Sequence, residues 1–197
     1  MLRWGRHGDA SLDHRFDELA SYVHQNLASN DADEVLIIGH CAGTVAAICF
    51  LDRLQQLRQQ VGDTVFFPRV KLLTLGHVIP MIGMMRQADW FRMRLKTVAQ
   101  ADIPWLDYTS PADPLCCVLV DPLQACGISR PPHAPDYRVR SSRFDKMFDE
   151  PSYAELRRDP FRIHFQYLRS TRKAVDNDFF KMTAGPDELE TRIFHRA

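Results

Sequence analysis

Apolar residues along the chain fall first into a helical spacing and then into a short uninterrupted run. A helix is predicted from Asp13 onward, with Ser11 or Asp13 as its cap, after a loose lead-in at residues 1–10. Its apolar face comprises Phe16, Leu19, Ala20, Val23 and Leu27. The run Glu34–Gly39 contains four consecutive apolar residues, three of them β-branched, which is typical of a strand buried on both faces. A second helix is predicted at residues 42–60.

The same strand–turn–helix order then repeats. Val70–Gly76 is predicted as a second strand, Ala88–Gln100 as a helix and Ile103–Tyr108 as a third, shorter strand. Strands that alternate with helices indicate an α/β architecture, in which helices flank a mostly parallel sheet. We therefore expect a single α/β domain over residues 1–197, or an incomplete domain of this class.

The pattern weakens in the C-terminal part of the chain. Residues 116–120 fit either a short strand or a buried loop, and residues 129–152 hold four of the twelve prolines without clear periodicity. We expect residues 129–152 to run over the surface, where such a segment can serve as a lid in an enzyme. Further helices are predicted at residues 153–158, 160–172 and 186–194.

Composition and charge exclude several classes of protein. Hydrophobic residues make up 45% of the chain and charged residues 25%, which argues against a disordered or low-complexity chain. The 25 basic and 25 acidic side chains give a formal net charge of zero, so no global charge favours nucleic acid or an anionic membrane as a partner. No apolar run approaches the ~20 residues that span a bilayer, and the N-terminus lacks the apolar stretch of a signal peptide.

The five cysteines are odd in number and irregular in spacing. This argues against a secreted disulfide framework and favours free thiols in a reducing cytoplasm. Cys116, Cys117, Cys126 and His133 do not match the spacing of a usual zinc site, and no dinucleotide or Walker-type glycine signature is present. The sequence therefore implies no metal and no organic cofactor.

The sharpest chemical signal is Gly39-His40-Cys41-Ala42-Gly43, at the junction of a predicted strand and helix. Glycines on either side permit the tight, strained turn that exposes a nucleophile, here the Cys41 thiol. The N–H of Ala42, at the start of the helix, would point at an oxyanion formed there. His40 is placed with Ala42 around the oxyanion and substrate, but it is a poor base, because adjacent residues leaving a strand point in opposite directions. The alternative is a buried cysteine in a glycine-rich turn.

This pentapeptide resembles the nucleophile elbow of the α/β-hydrolase superfamily, Gly-x-nucleophile-x-Gly, as found in lipases and esterases. The apolar run before it and the strand that ends in Leu75-Gly76 are also similar to the family pattern. Most members carry serine where this chain has Cys41. The cysteine is a thiol nucleophile, as in the dienelactone-hydrolase branch, or an altered and inactive site, or an engineered replacement of serine.

The resemblance implies that an acid follows the nucleophile along the chain. Asp113 lies just past the third predicted strand, in a Ser-Pro-Ala-Asp-Pro loop that resembles the acid-bearing loop of lipases and esterases. A buried carboxylate there would orient the catalytic histidine and stabilise its imidazolium form. An ordinary turn aspartate between prolines is the alternative, and Asp107 and then Asp121 are the next candidates.

The resemblance also implies that a histidine follows the acid. His164 lies in an aromatic-rich segment and is favoured over His133, in a proline-rich loop, and His195, near the C-terminus. A semi-buried histidine without a catalytic role is the alternative. Gln166 and Tyr167 are candidate neighbours of His164.

The resemblance covers residues 13–170 and matches the C-terminal half of the family fold. Residues 1–33 leave no room for the strands that precede the elbow strand in the family, or for the early loop that supplies a second oxyanion donor. Because loss of one donor costs roughly 100- to 1000-fold in rate, we expect little activity from this chain alone. The sequence thus predicts a fragment of a longer protein or a reduced variant.

Two functions remain in competition. The first is a hydrolase of small-molecule carboxylic esters or thioesters, in which Cys41 attacks, His164 moves the proton and Asp113 orients His164. The second is a non-catalytic hydrolase-like module that associates with another copy of itself or with a partner chain that completes the sheet. An exposed apolar sheet edge and an inert Cys41 would mark the second.

Overall fold

The computed structural model describes residues 2–28, 32–62, 69–130, 137–173, 175, 177–189 and 191. Helices and strands follow one another as α1 (Leu2–His7), α2 (Ala10–Ala28), β1 (Val35–His40), α3 (Gly43–Val61), β2 (Val70–Leu75), α4 (Ile79–Gly83), α5 (Asp89–Gln100), β3 (Trp105–Thr109), α6 (Pro122–Ala125), β4 (Tyr137–Ser141), α7 (Phe144–Met147), α8 (Glu150–Leu156), α9 (Pro160–His164) and α10 (Phe179–Ala184). A 3-10 helix at Phe165–Leu168 follows α9. Among the described residues, no helix is both long and apolar enough to cross a bilayer.

The four strands form one parallel sheet in which they lie side by side in chain order, β1-β2-β3-β4. Val35 of β1 lies opposite Val70 of β2, and Trp105 of β3 lies opposite Tyr137 of β4. Because the carboxyl ends of parallel strands meet at one edge, the segments that leave β1, β2 and β3 are brought together there. The predicted α/β class with a mostly parallel sheet is confirmed.

Apolar side chains are buried on both faces of the sheet. On one face Leu72 packs in a core with residues of α2, α3, α4 and α5, and on the other Leu73 packs with residues of α7, α8, α9 and α10. All six residues of β2 are buried, as expected of a strand covered on both faces. β1 departs from that expectation: Ile38 is 38% exposed, because β1 lies at the edge of the described sheet.

The N-terminal region is more ordered than the sequence predicts. Residues 1–10 were expected as a loose lead-in, but α1 packs through Trp4 onto Trp90 of α5, whose Nε1–H donates to the backbone oxygen of Gly5 (3.1 Å). α2 begins before Asp13, and its first turn is capped by Asp9, whose Oδ1 accepts from the N–H groups of Ser11 and Leu12. The cap predicted at Ser11 or Asp13 was wrong.

The segment 129–152, expected to be a surface excursion or lid, instead contributes to the sheet and the core. It contains β4, which pairs with β3, and Phe144 and Met147 of α7 are almost completely buried. Residues 116–120 form turns rather than a strand. Of the predicted helix at 160–172, α9 covers the part up to His164 and the 3-10 helix the next four residues. In the predicted helix at 186–194, residues 186–188 are not helical, and residues 190 and 192–194 lie outside the described residues.

Candidate active site

Cys41 occupies a strained turn between β1 and α3. Its backbone is left-handed, with φ of 54°, a conformation that costs a residue other than glycine about 1–2 kcal/mol. Its N–H donates to Leu75 O (3.1 Å), and its carbonyl accepts both the N–H and the hydroxyl of Thr44 (3.0 and 2.6 Å). The turn is therefore tied to β2 on one side and to the first turn of α3 on the other, as an elbow requires.

The two glycines of the motif have different roles. A Cβ on Gly39 would lie 2.7 Å from the Cα of Thr44, so a glycine is needed for the backbone of α3 to approach β1. A Cβ on Gly43 would meet no atom within 4 Å. The motif predicts a close approach of neighbouring backbone at both glycines. The structure has this close approach at Gly39, whereas Gly43 lies beside free space.

The Cys41 thiol is half-buried, and its surroundings favour the protonated form. Burial raises the pKa of Cys41, the Ala42 N–H that bonds to the sulfur lowers it, and the nearby charge of Asp113 raises it further. The net shift of the pKa is upward. The donor predicted at Ala42 therefore faces the sulfur, but it does not by itself produce a thiolate.

His164 and Asp113 form a buried acid–imidazole pair. The Nδ1 atom of His164 lies 2.8 Å from Oδ2 of Asp113, with side chains 4% and 0% exposed. The other ring nitrogen, Nε2, is buried and has no hydrogen-bond partner. With the Nδ1 proton held by the carboxyl group, Nε2 is left with its lone pair free, which is the state of a general base.

Further groups fix the Asp113 carboxyl group. Its Oδ2 accepts the hydroxyl of Tyr167 (3.1 Å), and its Oδ1 accepts the N–H of Leu115 (2.9 Å). Gly76, with φ of 55°, makes room for them, since a Cβ there would lie 2.7 Å from the Tyr167 ring and 3.3 Å from Oδ2. With His164, three donors converge on this carboxyl group, an arrangement suited to an acceptor-only carboxylate.

His40 connects the elbow to the segment that carries the base. Its Nε2 lies 3.0 Å from the backbone oxygen of His164, and its ring packs 4.7 Å from the His164 ring and 5.2 Å from that of Phe165. Burial lowers the pKa of His40, so the ring is neutral and its Nε2–H donates to that oxygen. His40, the residue before Cys41, thus holds the backbone of His164, while its predicted place near the oxyanion and substrate stays a prediction.

The remaining candidates lie elsewhere. Asp107 accepts the hydroxyl of Thr74 inside the sheet (2.6 Å), and Asp121 caps α6 through the N–H groups of Leu123 and Gln124. Gln166 donates to Ser170 O (3.3 Å) rather than to His164 or Asp113. Of the three candidate acids, Asp113 is the one that the structure brings to His164. Two candidate bases, His133 and His195, lie outside the described residues.

Sequence reasoning missed two contributors to this site. Thr44 follows Cys41 by three residues, and a threonine at the start of a helix is a recognisable signal for a hydroxyl bond back to the preceding turn. Gly76 is visible as the glycine that ends β2, but its function depends on Tyr167, which is far away in the chain. No local pattern reports such a contact.

Comparisons with protein-family models, with curated proteins and with solved structures find no match for this chain. The case for a function therefore depends on the elbow, the acid–imidazole pair and their geometry. Within the parts of the chain that the structure describes, no three or more His, Cys, Asp or Glu side chains are grouped so as to hold a metal ion.

Proposed function

We propose that this protein is an α/β-hydrolase-like enzyme that cleaves carboxylic ester or thioester bonds of small acyl substrates. Cys41 is the nucleophile, His164 the general base and acid, and Asp113 the residue that orients His164. The observation that carries the proposal is the buried 2.8 Å contact between His164 and Asp113, with Nε2 of His164 unpartnered and the strained Cys41 turn held against the His164 segment by His40.

The proposed reaction assigns a step to each of these residues. As the Cys41 sulfur attacks the acyl carbonyl carbon, its proton passes to Nε2 of His164, and the N–H of Ala42 donates to the oxyanion. Collapse of the tetrahedral intermediate breaks the bond to the alcohol or thiol, which leaves with the proton from His164. Water then attacks the acyl–Cys41 thioester, giving its proton to Nε2, and the acid product and the free thiol are released.

The raised pKa of Cys41 decides how the first step is activated. Because the thiol is protonated at neutral pH, the proton transfer accompanies the attack, as with a serine nucleophile, and no thiolate–imidazolium pair forms beforehand. The imidazole must therefore be neutral and its Nε2 available in the resting enzyme. The bond from His164 Nδ1 to Asp113 favours that tautomer.

A non-catalytic module is the second candidate, and one observation favours it. β1 is an edge strand of the described sheet and exposes Ile38, an apolar side chain that a strand from a second copy or a partner chain would cover. Cys41→Ser separates the two functions, because a serine restores ester turnover in an altered enzyme and does nothing in a module. We place the protein in the cytoplasm under either proposed function, since all five cysteines are free thiols.

The decisive experiment is acylation of the folded protein by p-nitrophenyl butyrate, with mass spectrometry to locate the adduct. We expect acylation at Cys41, reduced by roughly 10³- to 10⁴-fold in His164→Ala and Asp113→Asn. Asp178→Asn is the matched control, because it alters an aspartate at a capping position where asparagine serves equally well. Acylation spread evenly over the five cysteines, or unaffected by His164→Ala, would reject the enzyme and favour the module.

A further inference from the structure

Two titratable side chains that the proposed reaction does not use lie next to the loop that carries Asp113. His77 follows β2 and Asp107 lies in β3, and both residues are completely buried. The Nε2 atom of His77 lies 3.6 Å from Oδ2 of Asp107. Burial of a polar side chain is costly unless it is hydrogen-bonded, and Nδ1 of His77 and Oδ2 of Asp107 have no hydrogen-bond partner, so this pair requires an explanation.

His77 holds the acid loop, which we define as residues 110–121, at two points. Its backbone oxygen accepts the N–H of Cys117 (2.9 Å), and its Nε2–H donates to the backbone oxygen of Val120 (3.0 Å). A third bond joins the N–H of Leu119 to the hydroxyl of Thr109 at the end of β3 (2.8 Å). The C-terminal half of the acid loop is thereby fixed to the carboxyl ends of β2 and β3.

The same loop positions the acid of the triad. The N–H of Leu115 donates to Oδ1 of Asp113, and the Cys116 sulfur lies 3.6 Å from both the backbone oxygen of Asp113 and the hydroxyl of Tyr167. These contacts lie one to four residues before the part of the loop that His77 holds. A shift of the loop at Cys117–Val120 would therefore move the Asp113 carboxyl group relative to His164.

Asp107 lies on the sheet side of His77 without a hydrogen bond to it. Its Oδ1 accepts the hydroxyl of Thr74 (2.6 Å), which in turn accepts Nε1–H of Trp105 (2.8 Å), and its Oδ2 faces the imidazole. Burial lowers the pKa of His77 to about 4 and raises the pKa of Asp107 to about 8, so both are neutral at pH 7. A neutral ring has one N–H, and the bond to Val120 O places it on Nε2.

We propose that His77 is a positioning residue that sets the acid loop and thereby the contact between Asp113 and His164. This role rests on the proposed triad, but it concerns the acid–imidazole contact and not the chemistry at Cys41. The role predicts that loss of the N–H donor at His77 disturbs the hydrogen bond between Asp113 and His164. Ordinary loss of core packing would not disturb that bond.

The test compares His77→Phe, which removes the donor, with His77→Gln, which keeps one. The readouts are the Nδ1–H signal of His164 in NMR spectra of the histidine-labelled protein and the pH profile of Cys41 acylation by p-nitrophenyl butyrate. We expect His77→Phe to broaden or remove the His164 signal and to slow acylation roughly 10- to 100-fold, as a small misplacement does. His77→Gln should restore most of both. Thr109→Val removes the other side-chain hydrogen bond that holds the acid loop. It should affect the His164 signal and the acylation rate in the same way as His77→Phe.

Leu54→Ala, in the core of α3 and away from the acid loop, controls for general destabilisation. The proposal is overturned if His77→Phe folds and keeps the wild-type His164 signal, or if Leu54→Ala disturbs that signal equally. If His77→Phe does not fold, an unchanged signal in Thr109→Val overturns the proposal instead. A wild-type protein that shows no acylation but loses the His164 signal in His77→Phe would reject the proposed function and support the positioning role.

Discussion

Nδ1 of His164 lies 2.8 Å from Oδ2 of Asp113, although 51 residues of chain separate them. The contact is buried, and a third residue, Tyr167, donates to the same carboxylate oxygen. Because His40 holds the backbone of His164 from the residue before Cys41, the acid–imidazole pair and the elbow form one connected structure. This arrangement makes the hydrolase proposal specific enough to test.

Simple alkylation of Cys41 should be slow at neutral pH. Burial raises the pKa of Cys41, so the thiolate fraction is small at pH 7 and increases as the pH rises beyond the usual thiol range. We expect the iodoacetamide rate at Cys41 to increase continuously above pH 8.5, without a plateau near pH 7. His164→Ala should leave this rate little changed while it abolishes acylation. A plateau near neutral pH that disappears in His164→Ala would instead indicate a preformed ion pair.

Substitution of the two elbow glycines by alanine should have opposite consequences. A Cβ on Gly39 would collide with the backbone of Thr44, so Gly39→Ala should lower the free energy of unfolding by about 1–3 kcal/mol. Gly43→Ala has free space and should be neutral or add up to about 1 kcal/mol, because alanine restricts the unfolded chain. Urea unfolding of the two variants measures the difference. Equal destabilisation would contradict the close approach of α3 to β1.

Asp107→Asn should stabilise the protein in a pH-dependent way. The folded-state pKa of Asp107 is raised to about 8, whereas an unfolded aspartate has a pKa of about 3.9. Between these values the unfolded chain is ionised and the folded one is not, so the wild-type protein loses stability as the pH rises towards 8. We expect Asp107→Asn to unfold at higher urea than wild type at pH 8 and at a similar concentration near pH 4. Asp178→Asn, at the cap of α10, is the control and should show no such trend.

The ion pair between Arg94 and Asp13 should contribute more to stability than a comparable surface pair. Arg94 of α5 donates twice to the Asp13 carboxylate on α2 (2.6 and 2.7 Å), with side chains 14% and 20% exposed. Arg94→Met leaves that carboxylate poorly compensated, and we expect a loss of about 2 kcal/mol in urea unfolding. Asp145→Asn removes an exposed pair with Arg143 and should change stability by less than about 0.5 kcal/mol. Similar losses in the two variants would mean that α2 does not depend on this pair for docking.

Patterns within about ten residues determined much of the fold. Runs rich in apolar residues predicted β1, β2 and β3, although only the run in β1 is uninterrupted, since β2 contains Lys71 and Thr74 and β3 contains Asp107. β4 was missed although its sequence, Tyr-Arg-Val-Arg-Ser, alternates apolar and charged residues as a half-buried strand does, because it follows a proline-rich stretch without clear periodicity. What makes that segment a strand is its pairing with β3.

The sequence by itself determined the place of the tight turn at Cys41, since strand length, glycine spacing and the following helix are all local properties. It also narrowed the candidates for the acid to Asp107, Asp113 and Asp121, and it favoured His164 as the candidate base. The tertiary structure decided which of these residues meet, because the register of β2 and β3 places Asp107 beside Thr74 while the acid loop carries Asp113 to His164. The tertiary structure also raised the pKa of the Cys41 thiol. This pKa depends on burial and on a charge that is distant in the chain, and no local sequence pattern indicates either.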